Sequence, residues 1–410
     1  MRFEDFPYKK WRADFPILQR EVYGKPLVYL DNGATTQKPQ CVIDTITRVY
    51  SECNANIHRG VHRLSQESTE LYEEARQRIA DYLGVPDSKQ VIFTSGATEA
   101  INLVAQTLGA SYFKAGDAIL VSEMEHHSNL VSWQLVAQQR GLEVRKLPVG
   151  DDGTIALEDL DRLLDKRVRL VAVTHVSNVL GVVNPIRAMA DMAHARGALI
   201  LVDGAQGVKH GKPRLPELGC DFYAFSGHKL YGPNGIGVLW GRAELMEALP
   251  PWKGGGEMVG TVSFEGTTYA TLPHRLEAGT PPYVEAIALG KAVEYYGPMA
   301  EEATAYETLL LHRAYEGLSA IPELEIFGYN PQNAAILSFI PRGAHPYDLG
   351  VLLDKMGIAV RTGTHCAEPL MRRLGTTGTA RASFAFYNTP EEVDRLVEGA
   401  KRAVRMLLPG

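Results

Sequence analysis

Two runs decide the fold: Ala198-Leu199-Ile200-Leu201-Val202-Asp203-Gly204-Ala205-Gln206 and, after a polar connection, Phe222-Tyr223-Ala224-Phe225-Ser226-Gly227-His228-Lys229. Each starts as a short apolar run of strand length and ends in a small-residue turn that carries a charged side chain. Apolar runs of the same kind recur at Val91–Phe93, Ala118–Val121 and Leu170–Val173. Between them lie segments with apolar residues at three- and four-residue spacing, such as Ala97–Leu108 and Asn129–Arg140. This alternation predicts an α/β domain whose mostly parallel sheet is covered by helices on both faces. Ligands of such sheets sit beyond the carboxyl ends of the strands, so whatever follows an apolar run is a site candidate.

Asp203 and Lys229 are the first two candidates. A carboxylate at a strand end suits a protonated pyridine nitrogen, because the ion pair keeps the ring cationic and able to accept electrons. Taken alone, Asp203 also fits a turn or a helix N-cap. Lys229 follows Ser226-Gly227-His228; a lysine there can hold a carbonyl cofactor covalently, with the hydroxyl and imidazole left to bind a phosphate. Taken alone, it also fits a solvated surface lysine. Together the two point to pyridoxal phosphate (PLP). Thr94-Ser95-Gly96-Ala97-Thr98-Glu99 follows another apolar run and opens a helix. Backbone N–H groups and the positive end of the helix dipole make it a phosphate site with Ala97 and Thr98 as contacts, or a plain N-cap at Thr98. His126, in Glu125-His126-His127-Ser128-Asn129, is placed to stack on a ring, or is a satisfied loop histidine. Asn178, in Thr174-His175-Val176-Ser177-Asn178, is placed to meet cofactor or substrate, or is a turn asparagine.

The bulk properties bound the rest. A chain of 410 residues with 45% hydrophobic and 22% charged content predicts a full-sized core in two or three domains, or one large and one small. A net charge of −6 argues against nucleic-acid binding. The opening Met1–Asp14 is charged and aromatic rather than apolar, and no run approaches the ~20 residues of a membrane helix. Cys41, Cys53, Cys220 and Cys366 show no CxxC pair, which suggests free thiols in a soluble, cytoplasmic protein with no membrane partner. Two motifs are rejected. Gly232-Pro233-Asn234-Gly235-Ile236-Gly237 lacks the Gly-Lys-Ser/Thr of a nucleotide loop. His58 and His62 are four apart but lack the glutamate of a metal-binding helix, and Gly60 weakens a helix there, so no metal site is expected. After about Ala288 the pattern changes to a long helical stretch (290–317), a strand at Ala335–Phe339, a helix near Pro346–Met356, a strand at Ile358–Arg361 and a helix from Pro390 to Leu407 capped by Thr389. This reads as a smaller α+β domain against which residues 1–25 pack.

Leu30-Asp31-Asn32-Gly33-Ala34, Asn56-Ile57-His58-Arg59-Gly60, Gly96-Ala97-Thr98-Glu99, Glu125–Asn129, Asp203–Gln206, Ser226–Lys229, Glu277-Ala278-Gly279-Thr280-Pro281, Arg361-Thr362-Gly363-Thr364-His365-Cys366-Ala367 and Arg381-Ala382-Ser383 occur in this order. With them the chain resembles fold-type I, class V PLP enzymes, and among these the SUF-type (group II) cysteine desulfurases. The resemblance implies a large PLP-binding domain (26–288) with a mostly parallel seven-stranded sheet, and a small domain built from 1–25 and 289–410. It implies that Lys229 holds the cofactor and moves protons, Asp203 pairs with the pyridine nitrogen, and Gln206 contacts the phenolic oxygen. His126 would stack on the ring, and Ala97, Thr98, Ser226 and His228 would bind the phosphate. Thr280 would reach the phosphate of the other subunit of a homodimer. Arg381 would hold the substrate carboxylate with Asn178, and His58 and Arg361 would contact substrate. Cys366 would take sulfur from L-cysteine as a persulfide, leave alanine, and pass the sulfur to a SUF acceptor protein for iron-sulfur cluster assembly. Selenocysteine lyase or another class V PLP activity is the alternative, and a non-enzymatic sulfur scaffold is disfavoured by the intact Lys229 and Asp203. One departure stands out: Thr364 replaces a histidine common in the family.

Overall fold

The computed structural model describes residues 1–408. Seven strands form the central sheet: β1 (Val91–Thr94), β2 (Ala118–Ser122), β3 (Glu143–Leu147), β4 (Val168–Thr174), β5 (Leu199–Asp203), β6 (Phe222–Ser226) and β7 (Gly237–Gly241). Their spatial order is β1-β7-β6-β5-β4-β2-β3. The pairings β3–β2–β4–β5–β6 are parallel, and β7 runs antiparallel to both of its neighbours. The five apolar runs read from the sequence are β1, β2, β4, β5 and β6, all largely buried, as the strands of a sheet covered on both faces must be. The two remaining strands were hidden. β3 is an edge strand, and its Glu143-Val144-Arg145-Lys146-Leu147 is too polar to stand out as a run. β7 follows the glycine-rich 232–237 segment, which serves as the turn that reverses the chain.

Helices α1 (Arg63–Leu83), α2 (Ala97–Ser111) and α3 (Ser128–Arg140) pack on this sheet or beside it. The predicted helical stretch 290–317 is two helices, α4 (Tyr283–Tyr296) and α5 (Ala300–Ser319). The break falls at Gly297-Pro298, since proline removes a helical N–H and crowds the preceding turn. A second sheet, antiparallel throughout, consists of β8 (Leu324–Phe327), β9 (Ile336–Pro341), β10 (Arg361–Gly363) and β11 (Thr379–Ser383) in the order β8-β9-β11-β10. Helices α5 and α6 (Pro346–Lys355) pack on it, and α7 (Pro390–Leu407) packs against both of these helices. Thr389 caps α7 as expected: its hydroxyl accepts the Glu392 amide at 3.2 Å, and the Glu392 carboxylate accepts the Thr389 amide at 3.1 Å. The expected strand 358–361 is split in two. Ile358–Ala359 pairs in parallel with Val28–Tyr29, and Arg361 begins β10.

That pairing carries the N-terminal chain into this second layer. Phe6 stacks on Tyr306 (4.9 Å between ring centroids), and Phe15 packs on Tyr387 (4.5 Å). Just beyond Tyr29, Asp31 bridges to Ser383, which brings the Asp31–Ala34 turn to the end of β11 beside Arg381. Among the described residues no helix is long and apolar enough to cross a membrane.

Candidate active site

The carboxyl ends of β1, β2, β4, β5 and β6 open into one cavity of about 200 Å³, closed from the other side by the second sheet. Its wall gathers Ala97 and Thr98 at the start of α2, His126 after β2, and Asn178 after β4. Asp203 and Gln206 come from the end of β5, and Ser226, His228 and Lys229 from the end of β6. From the second layer come Arg361 and Cys366 on and after β10, and Arg381 on β11. Two expected site residues lie elsewhere. Thr280 is exposed at the rim of a separate cavity of about 220 Å³, with Tyr72, Trp252 and Glu277. His58 packs edge-on to His274 (4.7 Å), with Nε2 3.3 Å from Glu73 and Nδ1 3.6 Å from Glu257. The ligand atoms of His58, Glu73 and His274 lie within 4.8 Å of one another, but both oxygens of Glu73 already receive the Arg76 guanidinium.

The corner of the cavity around Ser226 depends on close backbone packing. A Cβ on Gly237 would stand 2.4 Å from Cα of Gly96, so only glycine lets β7 run against the turn that starts α2. There the Ala97 amide donates to Ser226 Oγ at 2.8 Å. A 15-residue helix start, a serine hydroxyl and the His228 imidazole therefore converge, a donor set suited to a phosphate. Burial, with Lys229 and Lys38 nearby, holds His228 down to about 4, so it is neutral at pH 7. Lys38 Nζ donates to the carbonyls of Thr36 (2.6 Å) and His228 (2.9 Å), tying the 31–38 segment to the lysine turn.

Elsewhere on the wall, Asp203 is buried, and its Oδ1 accepts the Ala205 amide at 2.9 Å. Burial raises its pKa, against the Ala205 amide and the charge of Lys229. Lys229 is pushed down to about 8: burial is the main cause, Arg381, Lys209 and Arg361 add to it, and Asp203 opposes. Gln206 donates to the Gly33 carbonyl at 2.6 Å while its buried Oε1 has no partner, as does Arg381 Nε on the opposite wall. Buried polar atoms without partners at a cavity wall mark positions where a polar ligand would satisfy them. Lysine, carboxylate, helix start and these unpartnered groups together fit PLP.

His126 is neutral as well, lowered to about 4 by burial and by Lys229. Its Nδ1 accepts the Ser128 amide at 3.2 Å, which leaves the ring proton on Nε2. The loop beneath is anchored by Glu125, which accepts from Asn129 Nδ2 (2.7 Å) and the Thr174 amide (2.9 Å). Burial pushes this carboxyl up to about 8, against those hydrogen bonds and one from Ser122. Arg381 is buried, donating through Nη1 to the Asn178 carbonyl (2.8 Å) and through Nη2 to Asp31 (3.1 Å). The Asn178 amide in turn donates to the His365 carbonyl at 2.9 Å, joining the arginine to the cysteine loop. Asp31, Lys38 and Glu125 are site residues that nothing local in the sequence marks. Asp31 and Glu125 stood inside quoted motifs, but their partners are 350 and 49 positions away in sequence.

The aminotransferase class-V family model matches residues 28–396. The Vibrio cholerae protein named "Probable cysteine desulfurase" is 50% identical over 397 residues, 97% of this chain and 98% of that one. The cysteine desulfurase of Dickeya dadantii is 49% identical over 98% of each chain. In the solved structure of the Escherichia coli cysteine desulfurase CsdA, in its S-sulfonic acid form, the likeness has a TM-score of 0.92 at 42% identity, covering 98% of this chain and 100% of that one. The chain belongs to the aminotransferase class-V family of PLP-dependent enzymes, among its cysteine desulfurases.

Proposed function

We propose that this chain converts L-cysteine to L-alanine, with PLP held on Lys229, and retains the sulfur as a persulfide on Cys366 for a SUF-type acceptor protein in iron-sulfur cluster assembly. The reading rests above all on one observation: Cys366 and Lys229 line the same cavity, although one comes from the second sheet and the other from the first. PLP supplies an electron sink for the pair released when the substrate loses its Cα proton.

The chain's own residues do the rest. With a proton affinity near 8, Lys229 is part free amine at neutral pH and can take and return that proton at Nζ. Asp203 would keep the pyridine nitrogen protonated, Gln206 would turn its side-chain amide N–H to the phenolic oxygen, and His126 would lie over the ring. Ala97, Thr98, Ser226 and His228 would hold the phosphate. Arg381, helped by Asn178, receives the substrate carboxylate, which takes Nε and competes with Asp31 for Nη2; Arg361 adds positive charge at the mouth. Cys366 Sγ then bonds to the substrate sulfur as the Cβ–S bond breaks. Cysteine plus thiol gives alanine plus persulfide, with atoms and electrons balanced and no outside oxidant. The thiolate is the nucleophile.

The division into a large unit (26–288) and a small one (1–25 with 289–410) belongs to the same reading. It is supported by the two separate sheets, although the pairing of Val28–Tyr29 with Ile358–Ala359 extends the small unit a few residues past 25. Thr280, exposed and outside the cavity, suits a homodimer in which it serves the partner's phosphate, with His58, edge-on to Tyr72 of the cavity beside Thr280, as a substrate contact there. A cytoplasmic setting agrees with four free cysteines. Incubation of the PLP-loaded enzyme with cysteine should release alanine, and sulfide in the presence of a thiol reductant. Absence of alanine would refute the reading.

A further inference from the structure

His365 and Cys366 both occupy the left-handed region, with φ of 54° and 57°. Consecutive non-glycine residues in that region are costly and persist only where their surroundings over-determine them. Backbone clamps supply part of this. The Ala367 amide donates to the Thr364 carbonyl (3.0 Å), and the His127 amide to the Cys366 carbonyl (2.8 Å). Asn178 holds the His365 carbonyl, and the His365 ring lies 2.9 Å from Thr379 Oγ1. One side chain then joins the cysteine loop to the His126 loop from outside the cavity. Glu368 accepts a hydrogen bond from Thr364 Oγ1 at 3.3 Å through one oxygen, while its other oxygen lies against His127 Nε2. Partial burial tends to raise the Glu368 carboxyl, but its own amide, His127 and Thr364 outweigh this and hold it below the usual range. Thr364, the departure noted in the sequence, is thus half of a pairing with Glu368.

We propose that Glu368 is a positioning residue for sulfur transfer: by joining Thr364 to His127 it holds the Cys366 loop against the cavity edge that carries His126, and so sets the approach of Sγ to the substrate sulfur. The inference rests on the function proposed above and names a further residue for the same site. Glu368 does not line the cavity, so it acts through the loop and not on the substrate. A loosened loop leaves carboxylate binding at Arg381 intact and disturbs only the sulfur-to-sulfur step, where small displacements are expensive in rate.

The test uses the PLP-loaded enzyme and three measurements: persulfide formation on Cys366 by mass spectrometry, steady-state kcat and KM for cysteine, and the rate of Cys366 alkylation by iodoacetamide. Glu368→Ala should lower kcat roughly tenfold, leave KM within about twofold, and raise the alkylation rate several-fold, because the loop opens. Glu368→Gln, which keeps an acceptor for Thr364, should recover part of both changes. Thr364→Val should shift them the same way by less, and it serves as the test if Glu368→Ala fails to bind PLP. Wild-type kcat and alkylation rate in Glu368→Ala would overturn the proposal. So would a loss of kcat with unchanged alkylation, which would make Glu368 a structural residue only. A wild-type enzyme that forms no persulfide would instead overturn the proposed function.

Discussion

Lys229 sits among groups that pull its proton affinity in opposite directions: burial and the charges of Arg381, Lys209 and Arg361 lower it, and Asp203 raises it. The neutral amine is the form that attacks a carbonyl, so labelling of apo-enzyme by PLP, trapped with borohydride, should rise with pH through a midpoint of about 8, well below the ordinary lysine value. Asp203→Asn removes the charge that favours the ammonium, so the midpoint should move lower; a midpoint that stays put or rises would contradict the pairing. Once PLP is bound, the same substitution weakens the ring's hold on its proton, and kcat should fall about tenfold or more. Arg381→Lys keeps the charge but loses the planar fork that serves Asp31 and Asn178 together. Its KM for cysteine should rise roughly tenfold, and an unchanged KM would make Arg381 structural. At this scale the sequence displayed the groups that follow apolar runs, because a strand end is a local feature. It gave no sign of Asp31 as the partner of Arg381, since that contact exists only once Val28–Tyr29 has paired beside Ile358–Ala359.

Among the elements, the five apolar runs became five strands within a residue or two, because strands buried on both faces must be apolar throughout. β3 escaped notice as a polar edge strand. β7 escaped because the glycines before it look like a loop, and its pairing is antiparallel within an otherwise parallel sheet. Those glycines have a physical task. Gly237→Ala would drive a methyl into the Gly96 backbone at the start of α2, where neither segment can yield without moving Ser226 or Ala97. A loss of about 1–3 kcal/mol is expected, seen as a lower thermal midpoint, together with faster loss of PLP on gel filtration. Wild-type PLP retention in this variant would show that the phosphate corner does not depend on the close approach.

For the whole molecule, the sequence implied a large and a small unit, and the cavity that gathers the candidate residues lies between the two sheets. It could not show which residues would stay outside the cavity of a single chain. Thr280 and His58 do so, and the reason proposed is that a second chain brings them to its own site. Sedimentation should therefore give a dimer, and Thr280→Ala should speed PLP release roughly tenfold without changing the dimer; a fully active monomer would contradict the shared site. The cavity's composition makes its strongest demand on Cys366. After exposure to cysteine and alkylation, mass spectrometry of the PLP-loaded enzyme should find one added sulfur on the Cys366 peptide and none on those of Cys41, Cys53 or Cys220. Cys366→Ser should bind PLP with the same absorbance and form no persulfide. Added sulfur on another cysteine, or normal desulfuration of cysteine by Cys366→Ser, would contradict sulfur transfer through Cys366.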